Sequence, residues 1–564
     1  MDQVTFEAPG KGPWELESTH YARPISRFLG PAILQGFPRG FAEGTARYGL
    51  LLDHLAPGLV NGFFYQQPAA YLAPPGAMKP PPAPVLWLLT RLHPKMRARI
   101  ATSVRALDDK QWRKDLDQWD TMDKPAAIEA HQALQMVDVG ALSDEALVAH
   151  LEQCFSHVTR MIELHHKYTA TAVVVTGLLL ADAMTWTGAS AGEVCGVLRG
   201  SSPISNGFAA EELVKVGEAV AASESAREVL RSPEPPEAKI EALSADPDVG
   251  AAVRSYVSAV RFRSVGYDVG DRMAGELPAM LVEAMLTAAE RSGPRTPEDG
   301  ALDDLRAKVP AEHLVEFDEL VTEARLINRL RDERGAYSDG WAVGLARRAL
   351  LETGRRLTER RLLWDPEHAT DLRLDELIAL LRGEDGPSAT EAAKHHEWRT
   401  TKTSADAPPY LTAMPAPPPP VDLLPAGARR PARAMEAVLT NLFGVATTTN
   451  TDTVVHGLSV NTGVYEGTAR LVDSSADFGR IRQGDVLVTR NTSPYFNVVL
   501  PLLGAIVTDR GGQLSHAAIV AREYGIPGVV GTRDATTVIP DGARVRVDGS
   551  TGEVQVLAEP APAP

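Results

Sequence analysis

Cysteine is almost missing: a chain of 564 residues holds two, Cys154 and Cys195, with no paired spacing. That excludes a disulfide framework and a thiolate metal site and fits a reducing compartment, so a cytoplasmic protein is expected. Basic tracts are missing too, with 57 Lys and Arg against 73 Asp and Glu and a net charge of -16. Neutralising phosphates needs clustered cations, so no nucleic-acid partner is expected. The longest apolar run, Ala170 to Ala183, is broken by Thr171, Thr176 and Asp182 and falls short of the roughly 20 residues of a membrane span. The opening MDQVTFEAPGKGPWELE has no basic region followed by an apolar stretch, so neither a secretory signal nor a membrane partner is expected. At roughly 100–200 residues per domain, the length allows about three to five domains, each able to bury a core.

Proline, by contrast, is concentrated. Pro408 to Pro431 holds nine prolines in 24 residues, and proline removes amide donors and fixes φ, so the stretch reads as a stiff linker. A short helix is expected from about Ala432 to Phe443, then a polar run, Ala446 to Thr453. Residues 406–453 are thus the expected linker. Before it, Ser143 precedes Asp144 and Glu145, and Leu147, Leu151, Phe155, Val158 and Ile162 recur at three and four, a capped amphipathic helix. A second proline cluster, Ala73 to Pro84, leaves residues 1 to about 85 as an irregular front. After the linker, GTARLV, DVLVT, GAIVTD, PGVVGT and ARVRVDG alternate with Gly and Asp, the texture of a small α/β domain. The expected fold is multidomain: a large, mostly α-helical domain over 1–405 and a small α/β domain over 454–560.

Thr508 to Thr532, TDRGGQLSHAAIVAREYGIPGVVGT, carries the chemistry. A strand runs into Gly511 and Gly512, Ser515 caps a helix opening at His516, and the helix ends near Gly525. Glycines permit a tight turn, and a helix N-terminus offers free amides to an anion. A histidine there suits phosphorylation: its ring nitrogen is the nucleophile, and amides around Gly512 to Ala517 hold the transferred oxygens.

This stretch resembles the swivelling phosphohistidine domain of the phosphoenolpyruvate-utilising enzymes. The resemblance runs from GLSVNTGVYEGTARLV at Gly457 through NTSP at Asn491 and GGQLSHAAIVAREYGIP to DGARVRVDGSTGEV. It implies that His516 is phosphorylated, with Thr492, Ser493, Gly511, Gly512, Ser515 and Arg522 as candidate phosphate ligands. Leu514 stands where many members have Thr, and the rifampin phosphotransferase branch is more similar there. The helical part is similar to the same branch at WELESTHYARPISRF, GELPAMLVEAM and LLWDPEHATDLRLDELIALLRG. In between, RLRDERGAYSDGWAVGLARRALLETGRRL resembles the acceptor-domain helix whose leading Arg assists phosphoryl transfer. That implies Arg331, with Arg334 one turn on; the alternative is a solvated Arg/Glu face.

Family members join this domain to an ATP-grasp module or a phosphoenolpyruvate-binding barrel, and neither is expected here. The arrangement resembles the phosphohistidine subunit of the phenylphosphate and alkylphenol-phosphate synthases. That implies an ATP-grasp subunit in trans, with ATP and Mg2+ (or Mn2+) on that partner, and a small phenolic or alcohol acceptor. His165 and His166 follow the apolar face that includes Met161 and Ile162, so either could take the acceptor proton or be a bonded core histidine. His20, Tyr21 and Arg23 are candidate pocket residues. A phosphohistidine carrier or regulatory protein, an antibiotic phosphotransferase component and a non-catalytic binding module are the alternatives.

Overall fold

In the computed structural model the described residues are 4–202, 209–290, 300–442, 444, 450–451, 453–473, 475–492, 496 and 499–558. The chain forms two compact units, each built from separate segments. One comprises Met1–Val174, Tyr267–Gly270 and Tyr337–Met435, the other Val175–Gly266, Asp271–Ala336 and Glu436–Pro564.

In the first unit the helix Asp144–Lys167 starts as expected, Ser143 Oγ accepting from the Ala146 amide at 3.3 Å. Leu147, Leu151 and Val158 are fully buried. The helix Gly30–Arg47 lies against it through Gly36, Gly40 and Gly44. A Cβ at Gly40 would stand 2.0 Å from the Glu163 carbonyl, so only glycine allows this approach. The close crossing brings Phe37 beside His166.

The expected irregular front is instead a three-stranded antiparallel sheet. Strands β1 (Glu15–Leu16), β2 (Leu52–Val60) and β3 (Phe63–Ala70) pair in the order β1-β3-β2. Asn61 and Gly62, at φ 53° and 84°, make the tight turn between β2 and β3, the left-handed geometry a two-residue hairpin demands.

The proline-rich stretch also differs from expectation. Its first part is bonded to the first unit: Leu16 N–H donates to the Pro409 carbonyl (2.9 Å), Leu411 N–H to the Trp14 carbonyl (3.1 Å), and Tyr65 Oη–H to the Pro408 carbonyl (2.8 Å). The following helix, Ala426–Leu442, begins six residues before Ala432 and carries Pro431 inside it. Proline there forfeits one helical hydrogen bond, while Leu424 and Ala428 bury against Leu86, Met96 and Ile100. Most of the polar run Ala446 to Thr453 lies outside the described residues.

In the second unit, eight strands form one mixed sheet in the order β4-β11-β10-β6-β7-β8-β9-β5. They are β4 (Val454–His456), β5 (Leu458–Asn461), β6 (Val464–Val472), β7 (Asp485–Thr489), β8 (Leu503–Thr508), β9 (Gly528–Val530), β10 (Arg544–Asp548) and β11 (Glu553–Ala558). The run β6-β7-β8-β9 is parallel. Mid-chain helices share this unit's core: Val216, Val253, Met280 and Met285 join Leu487, Ile506 and Val520. One helical stretch, Asp144–Thr187, is long and apolar enough to cross a membrane, and 67% of its apolar window is buried inside the protein.

Candidate active site

Strand β8 ends at Thr508, and the chain turns through Gly511 (φ 102°) into the helix His516–Tyr524. Ser515 is the N-cap, its Oγ accepting from the Ala518 amide at 3.4 Å, and Gly525 (φ 63°) closes the helix. His516 therefore occupies the first helical position, where backbone amides lack intrahelical partners. Two of the amides expected to hold phosphate are already engaged. Gly512 N–H donates to the Leu442 carbonyl and Leu514 N–H to the Asn441 carbonyl, both at 2.9 Å. The loop lies under the C-terminus of the Ala426–Leu442 helix, whose last carbonyls need donors. A Cβ on Gly512 would meet the Asn441 carbonyl at 2.2 Å, so this glycine serves the close approach.

Arg522 braces the loop from behind. One Nη donates to the Gln513 carbonyl (2.7 Å), the other to the Gln513 side-chain oxygen, and Gln513 Nε2 in turn donates to the Ser459 carbonyl (2.6 Å). The expected phosphate ligand is thus held in a loop-supporting network. Thr492 has a buried hydroxyl with no hydrogen-bond partner among the described residues; Ser493 lies outside them.

The His516 side chain is 7% exposed, and neither ring nitrogen has a hydrogen-bond partner among the described residues. Facing it is the helix Leu330–Ala336, in which Leu330, Asp332, Glu333 and Gly335 are buried. Such burial does not fit a solvated Arg/Glu face. Asp332 Oδ1 stands 3.5 Å from His516 Nδ1. Arg331 Nη2 donates to the Leu514 carbonyl at 2.5 Å, and its Nη1 is buried without a hydrogen-bond partner among the described residues. Burial draws the Arg331 guanidinium below its usual pKa range against the opposing pull of Asp332. Arg334 sits three residues further along, part-buried. Glu523, the residue after Arg522 and part-buried, has a pKa pushed up to about 7, chiefly by desolvation, although the Gly200 amide bonds it.

Residues 481–552 match the family described as PEP-utilising enzyme, mobile domain. That segment, with His516 inside it, is a PEP-utilising enzyme mobile domain. The chain is similar to the uncharacterized phosphotransferase YvkC of Bacillus subtilis, 32% identical over 232 residues, 41% of this chain and 26% of the relative. It is 44% identical over 101 residues to a rifampicin phosphotransferase of Bacillus cereus, 18% of this chain and 12% of the relative. A probable phosphoenolpyruvate synthase of Archaeoglobus fulgidus is 43% identical over 101 residues, 18% of this chain and 13% of the relative. The chain thus spans about a quarter or less of the length of these relatives.

A second cluster of functional side chains lies wholly within the first unit. His165 Nδ1 is 2.8 Å from Asp339 Oδ1, both largely buried. His165 stacks on His166 at 4.6 Å, and His166 meets Phe37 edge-on at 4.4 Å. Phe64 links Phe37 to Tyr21 (5.8 and 5.4 Å), and Tyr267 lies against Tyr21 and His20 (6.0 and 5.3 Å). Burial first, then the carboxylates of Asp339 and Asp268, hold the Tyr21 phenol well above its usual range, so it stays protonated. Asp268 is itself raised by burial despite amide bonds from Ser26 and Gly270. The aromatic wall can hold a ring, and Asp339 orients the His165 imidazole beside it.

The structure brings His20, Tyr21, His165 and His166 together. Arg23 is turned away, donating to the Thr400 carbonyl at 3.0 Å. His20 is held by Glu17, Nδ1 to Oε1 3.0 Å. Asp332, Asp339, Phe37 and Tyr267 escaped the sequence reading. Asp332 stands inside RLRDER between the two arginines singled out, whereas Asp339, Phe37 and Tyr267 are joined only by long-range folding. Cys154 packs beside His150 at 3.6 Å and Cys195 is buried.

Proposed function

We propose that this chain is the phosphohistidine component of a phosphotransferase. His516 accepts a phosphoryl group from an ATP-grasp module in trans and passes it to the hydroxyl of a small, aromatic, phenolic acceptor. The observation carrying this reading is the buried imidazole of His516, its ring nitrogens not hydrogen-bonded among the described residues, at a helix N-terminus whose preceding Leu514 is held by Arg331. A ring nitrogen attacks the donor's terminal phosphorus, forming a P–N bond as the bond to the leaving oxygen breaks. In the second step the acceptor oxygen attacks phosphorus, the P–N bond breaks, and the acceptor proton passes to the imidazole of His165. Arg331 offsets the charge on the equatorial oxygens. The aromatic side chains around His165 support a phenol as acceptor. Relatives named rifampicin phosphotransferase favour a second reading, in which the hydroxyl belongs to an antibiotic.

ATP and Mg2+ (or Mn2+) belong to the donor module in this reading, where the cation bridges nucleotide phosphates. Among the described residues no three His, Cys, Asp or Glu side chains are placed to hold a metal ion, and no step is assigned to one on this chain. The test bypasses the donor. Phosphoramidate should phosphorylate the purified chain, giving an acid-labile, alkali-stable phosphate that mass spectrometry maps to His516. Added phenols should then discharge it as aryl phosphate. Labelling unchanged in His516→Ala would overturn the reading; labelling that no phenol or alcohol discharges would leave a carrier instead.

A further inference from the structure

Residues 54–107 contain no Asp or Glu, where about seven would be expected at the chain's overall frequency. The same stretch carries Lys79, Arg91, Lys95, Arg97, Arg99 and Arg105. In a chain of net charge -16 this is a segment of opposite sign.

Its centre is the helix Ala83–Leu92, apolar on two opposite faces. Leu86 and Thr90 face inward and are buried, Leu86 in the cluster with Met96, Ile100, Leu424 and Ala428. Val85, Leu88 and Leu92, at spacings of three and four on the other side, are 45%, 48% and 63% exposed. Trp87 is 48% exposed on the flank, with the Arg91 guanidinium over its ring at 4.8 Å. The preceding loop adds Leu72 and Met78, 45% and 40% exposed. A soluble helix is expected to turn polar side chains outward, and contiguous exposed apolar surface marks a contact. Arg99 pairs with Asp53 at 3.6 Å. Lys79, Lys95 and Arg97 are exposed and form no ion pair among the described residues.

We propose that this face is a membrane-surface site, the Ala83–Leu92 helix and its leading loop seating in the headgroup layer of an anionic bilayer. Three features favour lipid over an acidic protein. The outward face carries aliphatic chains and no hydrogen-bonding group, whereas a protein interface needs roughly one hydrogen bond per 100–200 Å². Lysine is depleted in protein interfaces but favoured, with Trp and Arg, at the bilayer boundary. Prolines 74, 75, 80, 81, 82 and 84 are exposed and have no amide hydrogen to desolvate on entering a poorly hydrated layer. The expectation of no membrane partner rested on the lack of a spanning segment; a helix lying in the interface needs none. The site is independent of the chemistry proposed for His516.

The test is co-sedimentation of the full chain with vesicles of phosphatidylcholine alone or with about 30 mol % phosphatidylglycerol. Binding to the anionic vesicles is expected at low salt, falling severalfold in about 0.5 M NaCl as screening shortens the reach of the cations. Trp87→Ser with Leu92→Ser, and separately Lys95→Glu with Arg97→Glu, should each weaken binding about tenfold. All four side chains are at the surface, so unchanged circular dichroism and melting should accompany the loss. No binding by the wild type, or binding by either variant as tight as the wild type's, overturns the proposal. So does self-association that the Trp87→Ser, Leu92→Ser variant abolishes, because a second copy would then cover the face.

Discussion

The Asp332 carboxylate stands 3.5 Å from Nδ1 of His516, beyond hydrogen-bond length yet with both side chains almost wholly buried. A negative charge on that side orients the ring with Nδ1–H toward Asp332 and leaves Nε2 as the nucleophile. Phosphorylated His516 should therefore carry its phosphoryl group on Nε2, read by 31P NMR. Asp332→Asn should lower the rate of labelling about 10²-fold without changing the fold. Equal rates in the two proteins would remove Asp332 from the reaction.

Arg331 is tied through one Nη to the loop before His516, and among the described residues the other has no hydrogen-bond partner. Arg331→Ala should slow discharge of phosphohistidine to a phenol by about 10²–10³, the loss expected for one preorganised donor to a developing anion. Chemical labelling of His516 by phosphoramidate should change little. Equal slowing of both steps would point to displacement of the Leu514 turn instead, and Arg331→Lys would then fail to rescue either.

The loop around His516 was legible because its signals are local. Two glycines, a capping serine and a closing glycine all fall between Gly511 and Gly525, and each does in the fold what its backbone chemistry demands. The bonds that hold Arg522 behind the loop were not legible, since sequence cannot tell that Gln513 folds back onto it. The β2–β3 hairpin was missed although Asn61-Gly62 is a strong turn signal; Pro57 and Pro68 inside the strands masked the alternation. Proline misled again after Pro408, where backbone bonds from Leu16 and Leu411 dock a segment that composition alone makes a free linker. The acceptor-side cluster was half legible: two adjacent histidines stood out, but Asp339 and Tyr267 reach them only through long-range packing.

Asp339 should act through His165. In Asp339→Asn the amide can no longer stabilise an imidazolium, so kcat for acceptor phosphorylation should drop about 10²-fold or more while KM for the phenol stays within a factor of a few. His165→Gln should give the same split, and the double variant should be no slower than either single one. Additive losses would mean that the two residues do not work as a pair. Tyr21→Phe, which keeps the ring, should instead move KM.

Buried His157 predicts an acid limit on the first unit. Its Nδ1 faces Arg160 Nη2 at 3.2 Å, and its Nε2 is 2.8 Å from His131 Nδ1, while His131 Nε2 reaches the Tyr337 carbonyl at 3.1 Å. Since arginine only donates, His157 must accept at Nδ1 and donate at Nε2, and His131 then donates to Tyr337. The whole chain is satisfied only when both rings are neutral. Burial first, and Arg160 second, bring the His157 pKa down to about 4, against about 6.5 in the unfolded chain. Below pH 6.5 the unfolded state therefore binds a proton that the folded state refuses, so stability falls with falling pH and levels off near pH 4. By pH 4.5 the loss should reach about 2–3 kcal/mol. Glutamine can donate to His131 and accept from Arg160 without titrating. Denaturant midpoints, followed by hydrogen exchange of first-unit amides, should thus fall less between pH 7 and pH 4.5 in His157→Gln than in the wild type. An identical fall in both would show that the acid sensitivity arises elsewhere.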